Sequence, residues 1–172
     1  MRRRAAPIFI AVLCALLLAP QAAWAAFPFA SPEGGYSAVF PTKPMEDIDD
    51  NTGYRTVTEL ADDGITVWAT GHTIYTHDID ATAELQANAD NFAKEIGGTL
   101  MARKSLTFAR GRDDKLPALE FTIDSDKLRG KGLTVVEGRR ALLIVAVCRK
   151  PNDRLADIER FLKTLKIAKL KN

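Results

Sequence analysis

The 172-residue chain carries 24 basic and 22 acidic side chains, a formal charge of +2. Residues 1–25 hold three of the basic residues and no acid, so residues 26–172 carry 21 against 22 and a formal charge of −1. That balance gives no electrostatic basis for binding nucleic acid or an acidic membrane surface. Its 147 residues suit one domain with a proper core. Only Cys148 remains in that part, which excludes an internal disulfide.

The chain opens as a secretory signal. Arg2, Arg3 and Arg4 precede an apolar run over residues 8–18, Pro20 breaks it, and Ala23-Trp24-Ala25 supplies small residues at a cleavage site. Cleavage is expected between Ala25 and Ala26, giving a periplasmic or secreted protein. The run is shorter than the roughly 20 residues of a spanning helix, so no transmembrane segment is expected after cleavage. Cys14 is preceded by Leu13 and followed by further apolar residues, unlike a lipid-attachment site.

Residues 26–34 read as a loose N-terminal arm. Residues 36–40 alternate as a strand and stop at Pro41, and the polar stretch 43–51 reads as a loop. Residues 54–60 form a second strand. Asp62-Asp63-Gly64 then turns the chain into a third strand over 65–70, with continuation to Tyr75 left open. Leu85, Ala89, Phe92, Ala93 and Ile96 mark one face of a helix over 81–96, capped by Asp80 or Thr82 and ended by Gly97-Gly98. Strands follow at 99–108, 119–123 and 133–137. The wholly apolar run 141–147 predicts a central strand covered on both faces. Leu155, Ile158, Phe161, Leu162 and Leu165 predict a closing helix, and the tail 166–172 reads as a frayed end. The expected fold is α+β: a helix–sheet–helix sandwich with two main helices and a mainly antiparallel sheet of about six strands, with residues 26–172 as one domain.

Three stretches carry a family resemblance. They are Gly35-Tyr36-Ser37-Ala38-Val39-Phe40-Pro41 with Lys43-Pro44, then Leu116-Pro117-Ala118-Leu119-Glu120-Phe121, and Phe161-Leu162-Lys163-Thr164-Leu165. With the order of elements, they make the chain resemble the PsbP-like proteins, which include the photosystem II extrinsic subunit and many small exported bacterial proteins. The resemblance implies a binding or assembly module and brings no catalytic residues with it.

Several clusters are candidates for chemistry. Asp47, Asp49 and Asn51 have the spacing of a calcium loop, but the glycine and glutamate such a loop needs fall one residue late, at Gly53 and Glu59. A solvated acidic loop is the simpler reading. His72 and His77, five apart in an extended segment, point to opposite faces and make a poor metal pair. Cys148, followed by Arg149 and Lys150, is a nucleophile only if exposed; otherwise it is a small apolar residue ending a core strand. The serine-hydrolase elbow and the phosphate-binding glycine loop are both missing. Lys127, Arg129, Lys131, Arg139 and Arg140 form a candidate partner patch, interrupted by acids. The expectation is a non-enzymatic module with no cofactor and no metal, docking a protein partner in the cell envelope. The alternatives are a carrier of a small apolar ligand between a helix and the sheet, or a thiol enzyme using Cys148.

Overall fold

A computed structural model describes residues 26–169. The expected signal segment with Ala25, together with Cys14 and residues 170–172, lies outside the described residues. The strands are β1 (Phe27–Ser31), β2 (Tyr36–Phe40), β3 (Met45–Asp50), β4 (Tyr54–Asp62), β5 (Thr66–Tyr75), β6 (Thr99–Ala109), β7 (Lys115–Asp124), β8 (Leu128–Glu137), β9 (Arg140–Arg149) and β10 (Lys166–Ile167). The helices are α1 (Ala81–Glu95) and α2 (Leu155–Leu162).

Seven strands, in the order β3-β4-β5-β9-β8-β7-β6, make one antiparallel sheet, and β1-β2-β10 make a second. Over the described residues the fold is therefore α+β, with two helices and antiparallel sheets. The expected helix–sheet–helix sandwich of about six strands needs correcting. Among the described residues, one face of the large sheet carries α1 alone. The other carries a mixed layer, α2 together with the small sheet.

The additional strands have clear physical origins. β1 contains Pro28 and was expected to be loose, but it is an edge strand, where a missing N–H leaves no ladder bond unmade. β3 was expected to be a loop because it is acidic. It too is an edge strand, and its charges block edge-to-edge pairing with other chains. The apparently frayed tail includes β10, whose Lys166 and Ile167 pair with Ser37 and Tyr36. Its Lys–apolar alternation is that of a strand with one buried face.

β9 lies between β5 and β8, the central position that its apolar run predicts. One of its faces packs Leu142, Ile144 and Ala146 against Ile158 and Phe161 of α2, with Phe40 of β2 and Trp68 of β5. Phe161 sits edge-on to both aromatic rings, at 5.2 Å from Phe40 and 5.4 Å from Trp68. The opposite face packs Ala141 and Val145 against Leu85 and Ala89 of α1, with Leu119, Phe121 and Ile123 of β7. The α1 terminus is capped as the sequence predicts: the Ala83 N–H donates to Asp80 Oδ1 at 2.8 Å. α2 is shorter than expected, ending at Leu162, although Leu165 beyond it is still buried.

Gly132 of β8 leaves the space that the Phe121 ring fills. A Cβ added there would lie 2.2 Å from Phe121 Cζ. Gly132→Ala is therefore expected to destabilise the domain by about 1–3 kcal/mol, read as a lower urea midpoint. Combining it with Phe121→Leu should recover part of the loss.

Candidate functional site

α1 packs across β8, β7 and β6 and reaches β9. Its side of the sheet is left open over β3, β4 and β5. Between the helix and this open half lies a cleft of about 770 Å³, within the usual range for small-molecule sites. Register fixes what faces it. Val67 lies opposite Val147, Ala69 opposite Val145, Gly71 opposite Leu143 and Thr73 opposite Ala141. On the next strand Leu60, Thr58, Thr56 and Tyr54 stand beside Ala69, Gly71, Thr73 and Tyr75. Asp47 and Asp49 of β3 pair with Thr58 and Thr56 and so share that face.

The cleft runs along β5 and changes character from end to end. At the β4–β5 hairpin it is apolar, with Leu60, Val67 and Val147 beneath Phe92 and Ile96 of α1. Arg149 closes this end, its Nη1 donating to the Gly64 carbonyl at 2.8 Å. The middle is lined by Thr56, Thr58, Asn88 and Asn91. At the far end the Tyr54 and Tyr75 rings lie 6.2 Å apart. Tyr75 donates its hydroxyl to Glu84 at 2.6 Å, and Tyr54 donates to Asp49 Oδ2 at 3.3 Å. Burial, and then the Glu84 carboxylate, push the Tyr75 hydroxyl well above its ordinary value, so it stays protonated at neutral pH. The titratable side chains pointing into the cleft are carboxylates, tyrosines and one arginine, a set suited to holding a ligand. No family model and no curated protein matches this chain.

The residues singled out in the sequence are dispersed. Lys127 lies in the β7–β8 turn, whereas Arg139 and Arg140 lie at the opposite end of β8. Arg129 and Lys131 turn to the α2 side, where Lys131 bridges Glu159 at 2.5 Å. Arg140 is buried, donating to the Gly34 carbonyl at 2.5 Å and pairing with Glu137. The five do not form one surface. Asp47 and Asp49 sit on a strand, and Asn51 donates to Asp49 Oδ1 at 2.6 Å from the turn after it. Among the described residues no three His, Cys, Asp or Glu side chains come close enough to hold a metal. His72 is buried against Tyr36, whereas His77 packs on Tyr75.

Cys148 is fully buried in the α2-side core, its thiol aimed at the Asn152 carbonyl at 3.5 Å. A colorimetric thiol reagent is expected to leave it unlabelled in the folded protein and to label it fully in urea. Rapid native labelling would show that β9 opens at that end.

The same face of the sheet holds a polar cluster that sequence reading missed. Tyr36 donates to the Glu59 carboxylate, and Thr70 donates to the same oxygen at 2.8 Å. His72 lies beside them, with neither ring nitrogen hydrogen-bonded. Burial raises the Glu59 carboxyl and lowers the His72 imidazole from their ordinary values. The available signal was Glu59 itself, a charge between Val57 and Ala61 on the inward face of an alternating strand.

Proposed function

We propose that the protein is an exported, non-enzymatic binding module that holds a small ligand with an apolar body between α1 and the open half of the sheet. One observation carries this reading. Within the apolar run of β9, residues 141–147, Leu143 alone is not fully buried, and it faces the cleft. Leaving a leucine of a central strand partly uncovered forfeits burial worth about 1 kcal/mol or more. A ligand would restore that burial.

Native mass spectrometry of the protein purified from its own host tests this. The expected result is a small-molecule adduct that Leu143→Trp, which fills the cleft, removes. A clean ligand-free mass for both proteins would overturn the reading. Export belongs to the same proposal, and a purified N-terminus beginning at Ala26 would support it. Membership of the PsbP-like proteins is also proposed, on the three stretches named above. Cys148 chemistry has little support, since the thiol is buried.

A second reading, docking of an envelope protein, is favoured by β6. This eleven-residue strand forms one edge of the large sheet and is exposed along most of its length, including Met101. Such an edge suits strand addition by a partner segment. Crosslinking from a photoreactive residue at Met101 in living cells should then capture one envelope protein, and capture of none would remove this reading.

A further inference from the structure

We propose that the cleft selects ligands bearing a positively charged amine or quaternary ammonium group on a short apolar body, with the charge lodged at the Tyr54–Tyr75 end. This rests on the cleft being a ligand site.

The charges around the cleft are one-sided. Asp47 and Asp49 face it from β3, whereas Glu95 lines it from the C-terminal end of α1, next to Ile96 and at the same end as Arg149. Neither Asp47 nor Glu95 has a hydrogen-bond or ion-pair partner among the described residues. Among the described residues Arg149 is the single Lys or Arg lining the cleft, and it stands at the end opposite the tyrosines, held by the Gly64 carbonyl and 3.7 Å from Asp62. An anionic ligand would meet three carboxylates and a cation already engaged. A cationic one would meet complementary charge along β3.

The aromatic pair makes that end specific. Tyr54 and Tyr75 are partly buried, and their hydroxyls are tied to Asp49 and Glu84. Each ring is thus fixed by an anchored hydroxyl. Ring faces beside a carboxylate are the arrangement that attracts an ammonium group, worth about 0.5–2 kcal/mol per ring depending on desolvation. The apolar end, under Phe92 and Ile96, then receives the hydrocarbon part. Ammonium and hydrocarbon would therefore bind at opposite ends, which fixes the ligand's orientation.

Isothermal titration with octyltrimethylammonium, octanoate and octanol, each kept below its aggregation threshold, separates the possibilities. The ammonium is expected to bind about tenfold or more tighter than octanoate, with an advantage that shrinks as salt rises. Asp47→Asn with Asp49→Asn should reduce ammonium affinity to that of octanol and leave octanol unchanged. Because those acids also guard a sheet edge, Glu84→Gln on α1, beside the Tyr75 hydroxyl, provides an independent variant that should reduce the same preference by roughly threefold. Leu143→Trp should abolish binding of all three. Octanoate binding as tightly as the ammonium, or a preference unaffected by the acid variants, would overturn the charge selectivity and leave the cleft reading standing. If no probe bound, both would fall.

Discussion

Replacing Phe161 by alanine should lower the unfolding free energy by about 3–5 kcal/mol, a large part of the stability of a domain this size. The ring is fully buried and lies edge-on between Phe40 of the small sheet and Trp68 of the large one. Removing it takes away an aromatic contact that joins α2 to both sheets. The space left is walled by strands whose backbones are fixed by ladder hydrogen bonds and cannot collapse into it. Urea unfolding followed by far-ultraviolet circular dichroism measures the effect. Leu162→Ala, next in sequence but only partly buried, is the control and should cost clearly less. Equal losses at the two positions would mean that α2 is held by its whole length and not by this ring.

Acid should reveal opposite contributions from two buried groups on neighbouring strands. Burial depresses the His72 imidazole, so the folded state favours its neutral form. Its contribution is complete above the unfolded pKa near 6.5 and is lost as pH falls from there towards the folded value. Burial raises the Glu59 carboxyl, so the folded state favours its protonated form. Its contribution is complete below the unfolded value near 4.5 and is lost as pH rises towards the folded one. Between these limits the two slopes oppose each other, each by up to about 1.4 kcal/mol per pH unit. Surface carboxylates held by arginine or lysine add a loss in acid common to all variants, so differences from the parent protein are the informative quantity. The stability gain of His72→Leu over the parent should grow as pH is lowered from 7 to 5. That of Glu59→Gln should shrink over the same range. Urea titrations across that range decide it, and variant profiles parallel to the parent's would mean that folding shifts neither group.

The sequence conveyed the interior well and the edges poorly. β9, β7 and α1 were legible because their apolar residues either run unbroken or repeat at the period of the element, and burial is what that pattern encodes. β1 and β3 were not, since an edge strand needs only one set of ladder bonds and can carry proline or acids that resemble a loop. β10 was hidden by its length of two residues. The cleft was legible only as a possibility. Nothing in the spacing of Leu60, Val67 or Leu143 distinguishes an apolar residue beneath a helix from one that the helix fails to reach. That difference depends on which strands α1 crosses, a property of the tertiary arrangement. The basic residues are dispersed because Lys127 and Arg139 flank the two ends of β8 and Arg140 turns into the interior, neither of which spacing along the chain conveys.

β2 is paired on one side by the strand that precedes it and on the other by β10, about 130 residues later. Most other pairings join consecutive strands through tight turns and form locally. The small sheet is completed only when residues 166–167 arrive, a contact of high sequence separation and slow closure. Under the proposed export, a chain threaded N-terminus first would carry β2 across early and leave it half-paired until residues 166–167 had followed. Deleting residues from 166 onward should slow folding and expose an unpaired strand edge at the same time, so truncation would promote aggregation by kinetics as well as by lost stability.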